Sequence, residues 1–352
     1  MRLAQKPSSA SGRGRDPPQS GGRVGAGKGA GLTSMRLTAT RVVALICLAA
    51  LAVVPVVAAA ADAPYYVGLF ARVMIFAIAA VSLDLILGYG GLVSFGHAAY
   101  LGIGGYAVGI LSFHGISNGF VHFAVAPAAA AAAALVIGFV SLRTAGVYFI
   151  MITLAFSQMV YFLGVSLNQY GGDDGLNITR HSDFGSLLDL DDPVILYYFV
   201  FLFLVLFLFL GGRVVHSRFG MLLQGTRSNE RRMIALGFPT FRYKLAAFVM
   251  AGAVCGLAGA LFANLTLFVS PSIMHWTRSG EILMMVILGG IGTLFGPVIG
   301  AAAYLLLESV LARWSEHWQA ILGPLLILVV LFSKSGLLGL LNPGGAPRRP
   351  DA

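Results

Sequence analysis

Few side chains in this sequence could do chemistry, and those few are scattered through apolar surroundings. Asp84, Glu281 and Glu308 fall inside apolar runs or near their ends, where a carboxylate is costly unless paired or wetted. Asp84 reads as an inner-end carboxylate that reaches water. His97 has no second metal ligand at helical spacing, so it reads as a loop histidine with a hydrogen-bond partner. Thr153, Ser157 and Gln158 stand at i, i+4 and i+5 of an apolar run, on one broad helix face. Such a face either makes interhelical hydrogen bonds, worth about 1 kcal/mol each, or lines a solute path. No Ser/His/Asp set, HExxH motif or paired-Asp arrangement occurs in the apolar runs, so intramembrane catalysis gains no support. Cys47 and Cys255 lie in different apolar runs without ligand spacing and read as small packing residues. Gly22-x4-Gly27-Lys28 has the spacing of a phosphate-binding loop. Gly29 stands where Ser or Thr would hold Mg2+, and no strand precedes it, so no nucleotide or other cofactor is expected in this chain.

The elements that carry these residues are membrane helices. Of 352 residues, 58% are hydrophobic and 11% charged, against about 25% charged in a soluble domain, and mean hydropathy is +0.85. The apolar residues come in blocks of about 20, the length a helix needs to cross about 30 Å of hydrocarbon. Runs such as 194–210 do not alternate apolar with polar, which excludes β-barrel strands. The expected fold is all-α, a polytopic bundle of about ten spans near 42–60, 66–87, 98–114, 121–142, 147–165, 194–211, 243–268, 281–296, 297–312 and 318–333. The first span resembles a signal peptide in its flanks, but its apolar core exceeds the usual 7–15 residues, so it is read as retained. Residues 1–40 read as a disordered cytosolic tail, rich in Gly, Ser, Arg and Pro up to residue 34, with Met35 as an alternative start. Residues 41–335 form the transmembrane domain and 336–352 a second cytosolic tail. The net charge of +9 comes from loops and tails rather than from a basic nucleic-acid surface. With the N-terminus inside, 19 of the 23 Lys and Arg residues fall inside, and Arg72, Arg180, Arg278 and Arg313 outside. This puts both termini and the loop of about 213–242 in the cytosol, and the acidic loop of about 166–193 outside.

Three stretches depart from ordinary membrane helix. Around Gly90, Gly91, Gly96 and His97, and again around Gly289, Gly290 and Gly296, an apolar run meets a Gly pair, a short link and a return span. Dense glycine of this kind serves tight helix packing, or a broken or re-entrant helix lining a path. The third stretch is a short cytosolic helix, about 229–236. Ser228 suits its N-cap, Glu230 its first turn, Gly237 its C′ position, and Pro239 prevents continuation. Two turns are marginal alone in water, so lipid headgroups or a partner must hold it.

Together and in order, the segments LDLILGYGGLVSFGHAAYLGIGGYAVG, GVYFIMITLAFSQMVYF, GGDDGL at 171–176, RSNERRMIALGFPTFRYKLAAFVMAGAVCGLAGAL and SGEILMMVILGGIGTLFGPVIGAA resemble the permease subunits of high-affinity branched-chain amino acid ABC importers. The resemblance covers residues from about 40 to 340. It implies a bacterial inner-membrane subunit that shares a translocation path with a second permease. Two cytosolic subunits would hydrolyse ATP with Mg2+, and a periplasmic protein would deliver substrate. The family's coupling loop falls here on Arg227, Glu230, Arg231, Met233, Ile234, Leu236 and Gly237. The importer pattern Glu-Ala-Ala-x3-Gly is loosened, since Arg231 and Arg232 follow Glu230 and Gly237 comes one residue late. The path segments would carry Asp84, Gly90, Gly91, Gly96, His97, Thr153, Ser157, Gln158, Gly289, Gly290 and Gly296. Two rival readings are an ion-coupled secondary transporter, which would rely on Asp84, Glu281 and Glu308, and a related permease for urea or short amides.

Overall fold

The computed structural model describes residues 29–185, 188–314, 317–332 and 336–337. The phosphate-loop-like segment at 22–28, most of the N-terminal tail and nearly all of the C-terminal tail lie outside the described residues. Within them the helices are α1 Gly29–Ala60, α2 Tyr65–Asp84, α3 His97–Phe113, α4 Gly119–Ser141, α5 Val147–Ser166, α6 Pro193–Val215, α7 Arg218–Ser228, α8 Glu230–Ala235, α9 Thr240–Thr266, α10 Trp276–Gly289, α11 Gly296–Trp314 and α12 Trp318–Phe332. A π-helical turn, Leu85–Tyr89, extends α2. α1 begins at Gly29, so residues 29–40, expected as disordered tail, are helical. Leu, Arg, Ala and Met there are good helix formers that propagate the turn outward from the apolar part.

All ten expected spans are helical, but among the described residues only seven helices are long and apolar enough to cross a membrane. α3, α10 and α12 have 17, 14 and 15 residues. At 1.5 Å per residue, α10 reaches about 21 Å, well short of the hydrocarbon thickness. The apolar run expected to span 281–296 therefore stops at Gly289 and turns through residues 290–295 before α11 returns.

The bundle centres on α9, which packs along α2, α3 and α4. Lipid-like surroundings give little hydrophobic drive between helices, so the contacts rely on close backbone approach. Ala130 and Ala134 of α4 face Gly252 and Gly256 of α9, and Gly104 of α3 lies directly on the Gly256 backbone. α1 is peripheral, tied to α6 by the Tyr197 hydroxyl donating to the Leu51 carbonyl at 2.6 Å. On the opposite side of the bundle from α7 and α8, the two-residue strands β1 (Leu176–Asn177) and β2 (Phe268–Val269) pair antiparallel. Beside them the Ser182 N–H donates to Asn264 Oδ1, and the Ser182 hydroxyl meets His122. This anchors the acidic loop to the end of α9.

The packing predicts opposite signs for one chemical change. Gly104→Ala places a methyl on the Gly256 backbone, which no rotamer change relieves, and should destabilise the detergent-solubilised protein by about 1–3 kcal/mol. Gly68→Ala meets nothing within 4 Å and should stabilise α2 by up to about 1 kcal/mol. Thermal unfolding of the two variants checks both.

Candidate functional site

A helix that stops inside a bundle leaves backbone N–H and C=O groups that something else must satisfy. At both breaks the partners are side chains. After α2 the chain leaves helical geometry at Gly91, whose φ is +71°, and restarts at His97. In this link the Phe95 N–H donates to Thr153 Oγ1 of α5 at 3.2 Å, and the Ala98 N–H donates to Ser279 Oγ of α10 at 2.9 Å. After α10, Thr293 donates its hydroxyl to the Gly290 carbonyl at 2.7 Å, and the Gly292 N–H donates to Asp84 Oδ1 at 2.8 Å.

The last of these bonds brings the two breaks together. Gly88, in the π-helical turn after α2, lies against the Gly292 backbone so closely that a Cβ would sit 2.6 Å from its Cα. Arg227, in the last turn of α7, is exposed along part of its length, yet its guanidinium donates to the Gly88 carbonyl. Its aliphatic stem packs on Gly91, where a Cβ would lie 2.9 Å from Cγ. A glycine at 91 thus serves twice, for its left-handed backbone and for the room it leaves the arginine. Asp84, Gly88, Gly91, Gly292 and Arg227 form one junction from three segments up to 208 residues apart in sequence.

The structure distributes the remaining sequence-expected residues as follows. Asp84 is 2% exposed and does not reach water; one oxygen holds Gly292, and Oδ2 has no partner among the described residues. His97 is not in a loop but opens α3, buried, with Nε2 at 2.7 Å from the Ser82 hydroxyl. Thr153 and Ser157 are buried hydrogen-bond makers: Ser157 donates to the Met274 carbonyl at 2.9 Å, and Gly96 packs on Thr153. Gln158 on the same helix is half-buried. Gly90 faces the Ile86 carbonyl. Gly289 and Gly296 pack on each other where α10 ends and α11 begins, and Gly290 takes φ +119°.

The short helix α8 is capped differently from the sequence reading. Ser228 ends α7, and Asn229 is the N-cap of α8, its side chain accepting from the Arg232 N–H at 3.0 Å. The sequence reading did not separate α7, whose N-cap is Ser217, its hydroxyl accepting from the Gly220 N–H. At the other end Gly237 holds C′ with φ +86°. Its N–H donates to the Ile234 carbonyl and the Phe238 N–H to the Met233 carbonyl, the paired pattern of a glycine-terminated helix. Glu230 is rooted to the foot of α9, at 2.7 Å from Lys244 Nζ and 3.2 Å from the Thr240 hydroxyl. Met233 turns inward onto Gly225 of α7. Ile234 and Leu236 point outward, 56% and 64% exposed, while Arg231 and Arg232 are exposed beside them.

Two further charged pairs escaped the sequence reading. Arg72 of α2 meets Glu308 of α11 at 3.3 Å, and Arg278 meets Glu281 within α10 at 2.6 Å. Tyr304 lies within electrostatic reach of all four. Arg278 and Glu281 also line a recess of about 270 Å³ with Tyr161, Ser272, His275 and Thr277. Their i, i+3 spacing was a visible signal for one pair; nothing in sequence joins Arg72 to Glu308.

Seven long apolar helices, with shorter ones meeting at breaks between them, define an all-α multi-pass membrane bundle. The chain belongs to the family described as branched-chain amino acid transport system / permease component, whose profile matches residues 65–331. It is 28% identical over 293 residues to the high-affinity branched-chain amino acid transport system permease protein LivM of Escherichia coli K12, covering 77% of this chain and 69% of that one. It is 24% identical over 284 residues to the corresponding permease protein LivH of the same organism, covering 75% of this chain and 91% of that one. The probable LivM of Methanocaldococcus jannaschii is 23% identical over 312 residues, covering 74% of this chain and 89% of that one. No solved structure matches the chain.

Gly88→Ala would drive a methyl into the Gly292 backbone and part the two breaks. The variant should insert normally yet lose uptake by at least about tenfold per inserted molecule, measured with radiolabelled substrate in membrane vesicles.

Proposed function

We propose that this chain is one permease subunit of an ABC importer for branched-chain amino acids. A second permease would complete the path, two cytosolic subunits would hydrolyse MgATP, and a periplasmic protein would deliver the substrate. It would sit in a bacterial inner membrane with both termini in the cytosol, its membrane domain about 41–335 and its tails 1–40 and 336–352. The observation that carries this reading is α8. A six-residue helix cannot hold itself in water, yet it is capped at both ends, rooted through Glu230, and presents Ile234 and Leu236 outward. Such a pair suits helix-in-groove docking, in which a few apolar anchors supply most of the energy and rim charges less. Met233, turned onto Gly225, serves α7 instead. Against ion-coupled transport stand the pairings of two of the embedded acids, since Glu281 and Glu308 each hold an arginine.

Ile234→Asp and Leu236→Asp should each insert normally and fail to retain the ATPase subunits on purification. A carboxylate buried in a docking groove costs at least several kcal/mol. Arg231→Ala should retain them. Full retention by both Asp variants would make α8 a membrane-surface anchor instead.

The orientation has its own check. In a chain carrying Cys47→Ser and Cys255→Ser, Asp189→Cys should react with a membrane-impermeant thiol reagent in intact spheroplasts. Ser228→Cys should react only after the membrane is opened. Labelling of Ser228→Cys in intact spheroplasts would invert the topology.

A further inference from the structure

Arg227 does not stand where a docking residue should. Its guanidinium turns away from the Ile234 and Leu236 surface and enters the bundle, where it donates to the Gly88 carbonyl. Its stem fills the space over Gly91. The Gly292 backbone, across from Gly88, lies beside the same guanidinium nitrogen, which would be 3.7 Å from a Cβ built there. One side chain from the cytosolic loop therefore touches both helix breaks. The carboxylate of Asp84 completes the set, one turn before Gly88. Its Oδ1 holds the second break through the Gly292 N–H, while its buried Oδ2 has no hydrogen-bond partner among the described residues. Arg227 is the cation that acts on this carboxylate. A buried carboxylate oxygen with no donor is costly, and a guanidinium can satisfy it with a charge-assisted bond.

We propose that Arg227 is the positioning residue that transmits movement of the cytosolic loop to both helix breaks, exchanging the Gly88 carbonyl for the free oxygen of Asp84 as the loop moves. In the present arrangement Arg227 holds the first break by its backbone, while Asp84 holds the second. Transfer of the guanidinium to Asp84 releases Gly88 and draws the carboxylate, and with it Gly292, toward the loop. Both breaks then shift together, because they share one pair of charges. Docking and transmission are thereby divided between neighbouring residues, Ile234 and Leu236 for the first and Arg227 for the second. This inference rests on the importer reading above.

The test uses the complex reconstituted in proteoliposomes with its second permease, ATPase and binding-protein subunits, and with L-leucine as probe. Wild type must first show leucine-stimulated hydrolysis; if it does not, the importer reading falls, and this inference with it. Given that response, Arg227→Ala should keep the ATPase subunits bound and basal hydrolysis unchanged, with stimulation and uptake reduced at least about tenfold. Arg227→Lys, which keeps the charge but loses the fork, should recover part of the stimulation. Asp84→Asn should resemble Arg227→Ala, and the double variant should be no worse than either alone, as two halves of one contact require. In a background with Cys47→Ser and Cys255→Ser, the thiols of Leu92→Cys and Leu294→Cys should change reactivity between nucleotide-free and vanadate-trapped states. Arg227→Ala should abolish that change at both positions. Wild-type stimulation in Arg227→Ala overturns the proposal. So does loss of the ATPase subunits from Arg227→Ala, which would make it a docking residue. Should Arg227→Ala fail to insert, wild-type stimulation in Arg227→Lys or Asp84→Asn overturns it equally.

Discussion

Inside hydrocarbon a helix may end only where another group takes over its backbone hydrogen bonds. That constraint organises this bundle. Two helices end within it, and three N–H groups at the turns find oxygens on other helices: Thr153 of α5, Ser279 of α10, Asp84 of α2. The polar side chains of the interior are thus the substitutes for missing helical turns. Their placement fixes where α2 and α10 can stop and so fixes the path the chain takes between its long spans.

The same economy governs charge. Arg72 with Glu308 and Arg278 with Glu281 cluster around Tyr304 away from α7 and α8, while Asp84 lies near Arg227 of α7. Between these two levels the core is close-packed, with Ala and Gly on the α4–α9 contact and Tyr100 and Phe248 buried beside it.

Much of this architecture was legible along the chain, and what was hidden has a physical cause. Apolar block length marked the helices, and Gly237 with Pro239 marked the end of α8, because those signals are local. Apolarity continues straight through Gly289–Gly296, so the early end of α10 was not visible in block length alone; the glycines marked the break but not its depth. Asn229 displaced Ser228 as the cap because α7 runs directly into it, and both residues are good caps read singly. Asp84 looked like a residue near water, yet its partner is a backbone N–H that no side-chain pattern records. The meeting of Gly88, Gly292 and Arg227 depends on segments 65 to 204 residues apart, and spacing within any one of them carries no trace of it.

α9 unites the two faces of the molecule. Glu230 of α8 is bonded to its foot through Lys244 and Thr240, and its far end leads straight into β2, which is laced to the acidic loop through β1 and Asn264. Its 27 residues make a rod about 40 Å long. A rod held at both ends cannot absorb a tilt within itself. A rotation of about 5° at its foot carries its tip through about 3.5 Å, so the β-laced cap acts as the far arm of a lever whose near arm is α8.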